Sequence, residues 1–218
     1  MGGWQTRRVH TTRQARDDRH FDRWASRYVR SLAQRLLFEP VQRSVATALA
    51  ARLPVSAAVL DVGCGTGRLL DRLGSARPGW SLFGVDRSTG MTSAARRLRP
   101  SLRVVQGTAE ALPYEGGSFD AVVTTLSFHH WADKPSALAE VFRVLRPGGV
   151  LALTDASVDD LPGRPHRLWA LARRNMDDMP ALRDRDLLLD RAGLRVLEAR
   201  PALRGRWVTL TLAERPAA

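Results

Sequence analysis

Apolar positions along this 218-residue chain recur with two periods that alternate from segment to segment. Short runs of four to eight apolar residues, rich in Val and Leu, predict strands at 57–62, 81–85, 102–105, 119–126 and 149–155. Between them the apolar residues return every three or four positions, as a helix requires. Leu69, Leu70 and Leu73 make one stripe, Met91, Ala94, Ala95 and Leu98 a second, and Leu138, Val141, Phe142 and Leu145 a third, stopped by Pro147, Gly148 and Gly149. Ahead of the first strand, 21–38 and 41–53 read as helices; in the second, Val41, Val45, Ala48, Leu49 and Leu53 share one face and Pro40 suits the first turn. Alternation of this kind implies crossover connections and a parallel sheet with helices on both faces. Two last strands, 194–201 and 206–213, are separated only by 202–205, a link so short that the pair must be antiparallel.

In such sheets ligands bind at the carboxyl ends of the strands, so each end is read for chemistry. The first strand runs into Asp61-Val62-Gly63-Cys64-Gly65-Thr66-Gly67. Three glycines at spacing two let the backbone turn sharply and let a ligand lie against the main chain. A dinucleotide fingerprint requires Gly-x-Gly-x-x-Gly, and Leu70 stands where its last glycine belongs, so the spacing argues against NAD. The second strand ends in Gly84-Val85-Asp86-Arg87-Ser88, which sets a carboxylate 19 residues after Gly67 and a serine suited to cap the next helix.

The acidic-x-Gly-x-Gly-x-Gly run resembles motif I of the class I S-adenosylmethionine (SAM) dependent methyltransferases, and further matches follow in order between Ala57 and Asp155. The resemblance is to the small-molecule, type 11 branch of that family. It implies an α/β, Rossmann-like, doubly wound seven-stranded sheet with a C-terminal antiparallel hairpin, SAM as cofactor, and methyl transfer to a small-molecule acceptor. It implies one domain over 1–218, with 1–56 as a helical lid or extension and 57–218 as the core. The implied cofactor residues are Asp61, Gly63, Cys64, Gly65 and Gly67 for the methionine half, Asp86 and Arg87 for the ribose, Thr108 and Ala109 beside the adenine, Thr125 at the end of the fourth strand, and Tyr28 in the N-terminal lid. Close relatives of the branch usually carry Asp where Thr108 stands, which leaves a weaker hydroxyl acceptor or the neighbouring backbone to meet the adenine amino group.

The fourth strand exits into Ser127-Phe128-His129-His130-Trp131, at the position of the family's methyl-transfer signature. Amino-methylating members carry Asn/Asp-Pro-Pro-aromatic there, and its absence favours a hydroxyl, carbon or other small-molecule acceptor. His129, His130 and Asp155 are the catalytic candidates: histidine is the usual general base near neutral pH, and Asp155, closing the fifth strand, could orient or deprotonate a substrate. Each has an ordinary structural reading too, a backbone hydrogen bond or a turn. Trp169, Met176 and Trp207 are candidates for the acceptor pocket, or core residues.

Composition adjusts this picture in two ways. Net charge is +12, of which residues 1–58 carry +7, 59–155 carry +2 and 156–218 carry +3. Since Lys134 is the one lysine, the excess is arginine, and it reads either as a solvated surface or as a basic arm for nucleic acid. Two alternatives therefore stay open: an RNA methyltransferase using that arm, and a catalytically silent SAM-binding protein. The single cysteine, Cys64, excludes internal disulfides and multi-cysteine metal sites, so no metal is expected. Neither a secretory h-region nor an apolar run of membrane-spanning length occurs, which points to a cytoplasmic protein without a membrane partner. Oligomeric state leaves no mark in the sequence.

Overall fold

Alternate residues of the central strands face two separate cores, and that arrangement sets the architecture of the computed structural model, which describes residues 38–156, 181–203 and 208–217. The elements are α1 (Glu39–Ala50), β1 (Ala58–Val62), α2 (Arg68–Ala76), β2 (Ser81–Asp86), α3 (Thr89–Leu98), β3 (Arg103–Gln106), β4 (Phe119–Thr125), a single 3₁₀ turn (Phe128–His130), α4 (Lys134–Val144), β5 (Leu145–Ala156), α5 (Leu182–Arg191), β6 (Arg195–Pro201) and β7 (Val208–Glu214). On one face Val59, Ala121, Val123, Val150 and Ala152 pack with Leu49 of α1 and Leu69 and Leu73 of α2. On the other, Leu60, Val122, Leu151 and Leu153 pack with Leu138 and Val141 of α4 and Leu189 of α5. A sheet covered on both sides buries both parities of its strands, which is why those segments read as near-continuous apolar runs.

The seven strands stand in the order β3-β2-β1-β4-β5-β7-β6. Strands β1 to β5 pair in parallel, and β7 runs antiparallel between β5 and β6. The doubly wound sheet with its C-terminal hairpin is as the sequence implies. The chain first winds from β1 outward to β3, then returns to place β4 on the other side of β1. The crevice where the direction reverses, between the carboxyl ends of β1 and β4, is the place where such sheets bind ligands.

Four local features differ from the sequence-based expectation. Leu145, expected in the third helical stripe, leaves the helix and opposes Phe119 across the sheet; the register then jumps so that Ala121 opposes Val150. Residues Arg146, Pro147, Gly148 and Gly149 fill that irregularity, with Gly148 at φ +77°, so the turn lies within the span of β5. Helix α5 was not expected, because its buried face holds Arg185 and Leu189 while Leu187 is exposed, a weak apolar pattern. The link from β3 to β4 contains no helix and is held by side chains of α4 instead: Glu140 accepts the Leu112 N–H at 2.8 Å and Arg143 donates to the Tyr114 carbonyl at 2.7 Å. The first expected helix, 21–38, lies outside the described residues apart from Phe38, and α1 stops at Ala50, short of the expected 53.

Candidate active site

At the end of β1 the glycines behave as separate devices. Gly63, Gly65 and Gly67 all have positive φ, at +78°, +53° and +79°. Gly67 is the residue from which α2 starts. A Cβ on Gly63 would fall 2.0 Å from Ser127 Oγ, so its missing side chain is what lets the β1 loop meet the β4 loop. A Cβ on Gly65 would meet nothing within 4 Å, so this glycine opens the cradle and leaves room over the backbone.

Asp61 lies beneath that cradle, 1% exposed, and its Oδ1 has no hydrogen-bond partner among the described residues. Burial, reinforced by the nearby Asp86 carboxylate, pushes its pKa up to about 8. An unpartnered buried carboxyl costs stability unless a cation or donor meets it. The same environment, burial first and then the two carboxylates, raises the Cys64 thiol well above its ordinary value and keeps it an inert apolar lining. Asp86 holds the loop from the side: its Oδ2 accepts the Gly65 N–H at 2.8 Å and its Oδ1 accepts the Ser88 N–H at 2.9 Å. A carboxylate offers about four acceptor directions, so holding the loop does not by itself exhaust it. Ser88 caps α3 as expected, accepting from the Met91 N–H at 3.1 Å.

Asp61, Gly63, Cys64, Gly65 and Thr125 line one small pocket with Thr66, Arg68, Leu69, Phe38 and Gln42. Sequence reasoning missed Gln42. It is 6% exposed and sits one turn before Val45 on the buried face of α1, and a polar residue inside an apolar stripe was the available signal. The structure does not bring Gly67, Asp86, Arg87, Thr108 or Ala109 into this pocket: Gly67 starts α2, Asp86 closes β2 and reaches the loop through Gly65, Arg87 and Thr108 are on the loops after β2 and β3, with Thr108 exposed, and Ala109 packs into the core beside Leu112. Tyr28, Trp169, Met176 and Trp207 lie outside the described residues.

The second half of the crevice follows β4. Leu126 is the one non-glycine residue with positive φ among those described, at +53°, a strained conformation costing about 1–3 kcal/mol. The strain is held by the Leu126 N–H donating to the Thr154 carbonyl at 2.7 Å and by Phe128, fully buried and packed edge-on to Trp131 at 5.0 Å between ring centroids. The turn presents His129 to β5. Its Nδ1 lies 2.8 and 3.0 Å from the two oxygens of Asp155, and its backbone N–H donates to Asp155 Oδ2 at 2.9 Å. The Ala156 N–H adds a bond to Oδ1 at 2.8 Å. Burial of Asp155 alone would raise its pKa, but the opposing His129 charge and these hydrogen bonds overcome it and hold the carboxyl below the ordinary carboxylate range. Asp155 is 1% exposed and turned toward His129, behind the imidazole and not out into a cavity. The His130 ring lies beside that of His129, centroids 4.0 Å apart.

The fold is the Rossmann-like α/β fold of SAM-dependent methyltransferases. Residues 60–153 match the family model described as a methyltransferase domain. The chain is 37% identical over 154 residues to a malonyl-[acyl-carrier protein] O-methyltransferase of Enterobacter lignolyticus, an alignment spanning 63% of this chain and 59% of that protein. It is 38% identical over 101 residues to a demethylmenaquinone methyltransferase of Thermus thermophilus, spanning 44% of this chain and 46% of that one. The chain thus spans about half of the length of these curated relatives. The fold matches a chain of the complex between the Haloferax volcanii Trm112 methyltransferase activator and a methyltransferase, with TM-score 0.73, 23% identity, and coverage of 90% of this chain and 97% of that one.

SAM is the methyl donor of this class, and the residues present fit it. Asp61 offers an orphaned buried carboxyl oxygen to an ammonium, Gly65 leaves the space in which a ligand can approach the backbone, and the start of α2 turns N–H groups toward a carboxylate. No described helix is long and apolar enough to cross a membrane.

Proposed function

We propose that this protein is a methyltransferase that moves the methyl group of SAM to a small-molecule acceptor. The observation that carries the reading is the orphaned Asp61 oxygen beneath an open glycine cradle, a site that is costly when empty and matched by an amino-acid ammonium. Asp61 and the 63–67 loop hold the methionine half, and Asp86 takes the ribose hydroxyls while keeping the loop in shape. When bound, SAM supplies a methyl group already activated on a sulfonium. The protein then contributes positioning and exclusion of water, and effective molarities from positioning alone are very large. The absence of an Asn/Asp-Pro-Pro-aromatic run after β4, and the names of the two curated relatives, support an acceptor outside nucleic acid.

Calorimetry tests the first half: SAM and S-adenosylhomocysteine should bind and NAD(P) should not. Tight NAD(P) binding without SAM binding overturns the reading. The second half is tested by incubating the protein with methyl-labelled SAM and a fractionated metabolite extract and identifying the labelled compound. Label in RNA, with affinity falling steeply as salt rises, would transfer the assignment to an RNA methyltransferase. SAM binding with no label in any fraction would assign a silent SAM-binding protein.

A further inference from the structure

Methyl transfer to an acceptor that bears a proton needs somewhere for that proton to go. We propose that Nε2 of His129 takes it, with Asp155 as the positioning residue behind the imidazole, and that the acceptor is therefore an oxygen acid, a phenolic or enolic hydroxyl. The inference rests on the methyltransferase reading above.

The geometry makes the argument. An ionised carboxylate only accepts, so two Asp155 oxygens at 2.8 and 3.0 Å from Nδ1 place the ring proton on Nδ1 and the lone pair on Nε2. Nε2 forms no hydrogen bond among the described residues. Asp155 cannot itself serve as the substrate's base: it is 1% exposed, and its oxygens already accept from Nδ1, from the His129 N–H and from the Ala156 N–H. The bonds to His129 join the turn after β4 to β5, so the ring is fixed by tertiary structure. Leu126, three residues before it, takes a φ of +53° where β4 ends and donates its N–H to the Thr154 carbonyl of β5, which fixes the start of the turn. Ser127, two residues earlier, occupies the space that a Gly63 side chain would fill, which puts the imidazole-bearing turn against the cofactor loop.

That arrangement selects the acceptor's chemistry. A neutral amine attacks with its own lone pair and releases its proton afterwards to water, and carboxylates are already ionised at neutrality. A hydroxyl is the acceptor that gains from a fixed base. Nε2 accepts the hydroxyl proton while an oxygen lone pair forms the new C–O bond and the methyl–sulfur bond leaves its electron pair on sulfur. The imidazolium so formed, faced by Asp155, returns its proton to water.

Two measurements test this on the whole chain. Nitrogen-15 NMR of the protein saturated with S-adenosylhomocysteine, with His129 assigned by its loss in His129→Gln, should show Nδ1 protonated and Nε2 bare at neutral pH. Asp155→Asn should disturb that tautomer and Asp155→Glu should restore it in part. A wild-type His129 carrying its proton on Nε2 overturns the proposal whatever the activity. With the acceptor found by labelling, His129→Gln should lower kcat by about 10² to 10⁴-fold and leave S-adenosylhomocysteine affinity within about twofold. Asp155→Asn should lower kcat by at least about tenfold with the same unchanged affinity. Wild-type turnover in a folded His129→Gln protein, or label on nitrogen or sulfur, sinks the base while leaving the methyltransferase reading intact. A wild-type chain that binds no SAM overturns both, and that failure is visible before any variant is made.

Discussion

Asp61 and Asp155 stand near the carboxyl ends of strands on either side of β4, each 1% exposed, and the fold treats them in opposite ways. Asp61 has an oxygen with no partner among the described residues and a pKa pushed up to about 8 by burial and by Asp86. Asp155 is surrounded by donors from the turn after β4 and from its own strand, and its pKa is held below the ordinary carboxylate value in spite of burial. Depth does not distinguish the two; satisfaction does. A buried carboxyl left unsatisfied marks where a ligand completes the structure, whereas a satisfied one is a fixture that orients its neighbour.

The comparison breaks most visibly at Asp155. Asp155→Ala strips a buried anion from His129 and two backbone N–H groups, and we expect a loss of about 3–5 kcal/mol in urea denaturation. A loss under about 1 kcal/mol would mean that the donors find other partners and that Asp155 is no fixture.

The contact between the two regions is tested next. Gly63→Ala forces a Cβ onto Ser127 at a φ of +78°, and should cost roughly 2–4 kcal/mol. Gly65→Ala meets open space at φ +53°, so it should cost only the backbone strain of about 1–2 kcal/mol while filling the cradle and weakening SAM binding. Equal stability losses in the two variants, measured by thermal melts, would contradict this division of labour.

Asp61→Asn should do the reverse of Asp155→Ala. The ligand-free protein gains stability, of order 1–2 kcal/mol at neutral to mildly alkaline pH, while SAM affinity falls at least about tenfold, ~1.4 kcal/mol. The pH dependence carries the sign. Because the folded pKa of Asp61 is raised, its neutral form contributes stability that is present below pH ~4 and is lost as pH rises toward about 8, a decline that Asp61→Asn should flatten. Asp155 has the opposite sign: its contribution is present above the ordinary carboxyl pKa of ~3.9 and is lost as pH falls through its lower folded value. Melting curves of the wild type and Asp61→Asn across that range decide whether the two carboxyls differ as described. A neutral-to-alkaline slope that persists in Asp61→Asn would assign it to another group.

The smallest expected effects lie on the ribose and adenine side. Asp86→Ala should weaken SAM binding by about tenfold or more, since it removes a charged acceptor and the Gly65 anchor together. Thr108→Ala, at an exposed position with a neutral hydroxyl and no hydrogen bond to the glycine loop among the described residues, should change affinity less than about twofold. Comparable losses in a titration would place the adenine against Thr108 after all.

Much of this molecule was legible in its residues alone. The two periodicities, the short link at 202–205 and the glycine run after Asp61 determined the parallel sheet, the antiparallel C-terminal pair and the glycine cradle at the end of β1, because each is a property of consecutive residues. Helix α5 escaped notice because its buried face carries an arginine; the turn at 146–149 was legible from its Pro and Gly, but its place inside a strand that already starts at Leu145 was not. Tertiary structure alone decided the rest. His129 and Asp155 are 26 residues apart and became a pair only when β4 and β5 were laid side by side. Gln42 joined the pocket only once α1 packed over α2 and the β4–β5 region of the sheet, and β7 took its place between β5 and β6 by pairing that no local pattern specifies. Strand and helix formation depend on neighbours in sequence, which the chain displays directly, whereas the state of a buried carboxyl depends on which donors the fold carries to it from elsewhere.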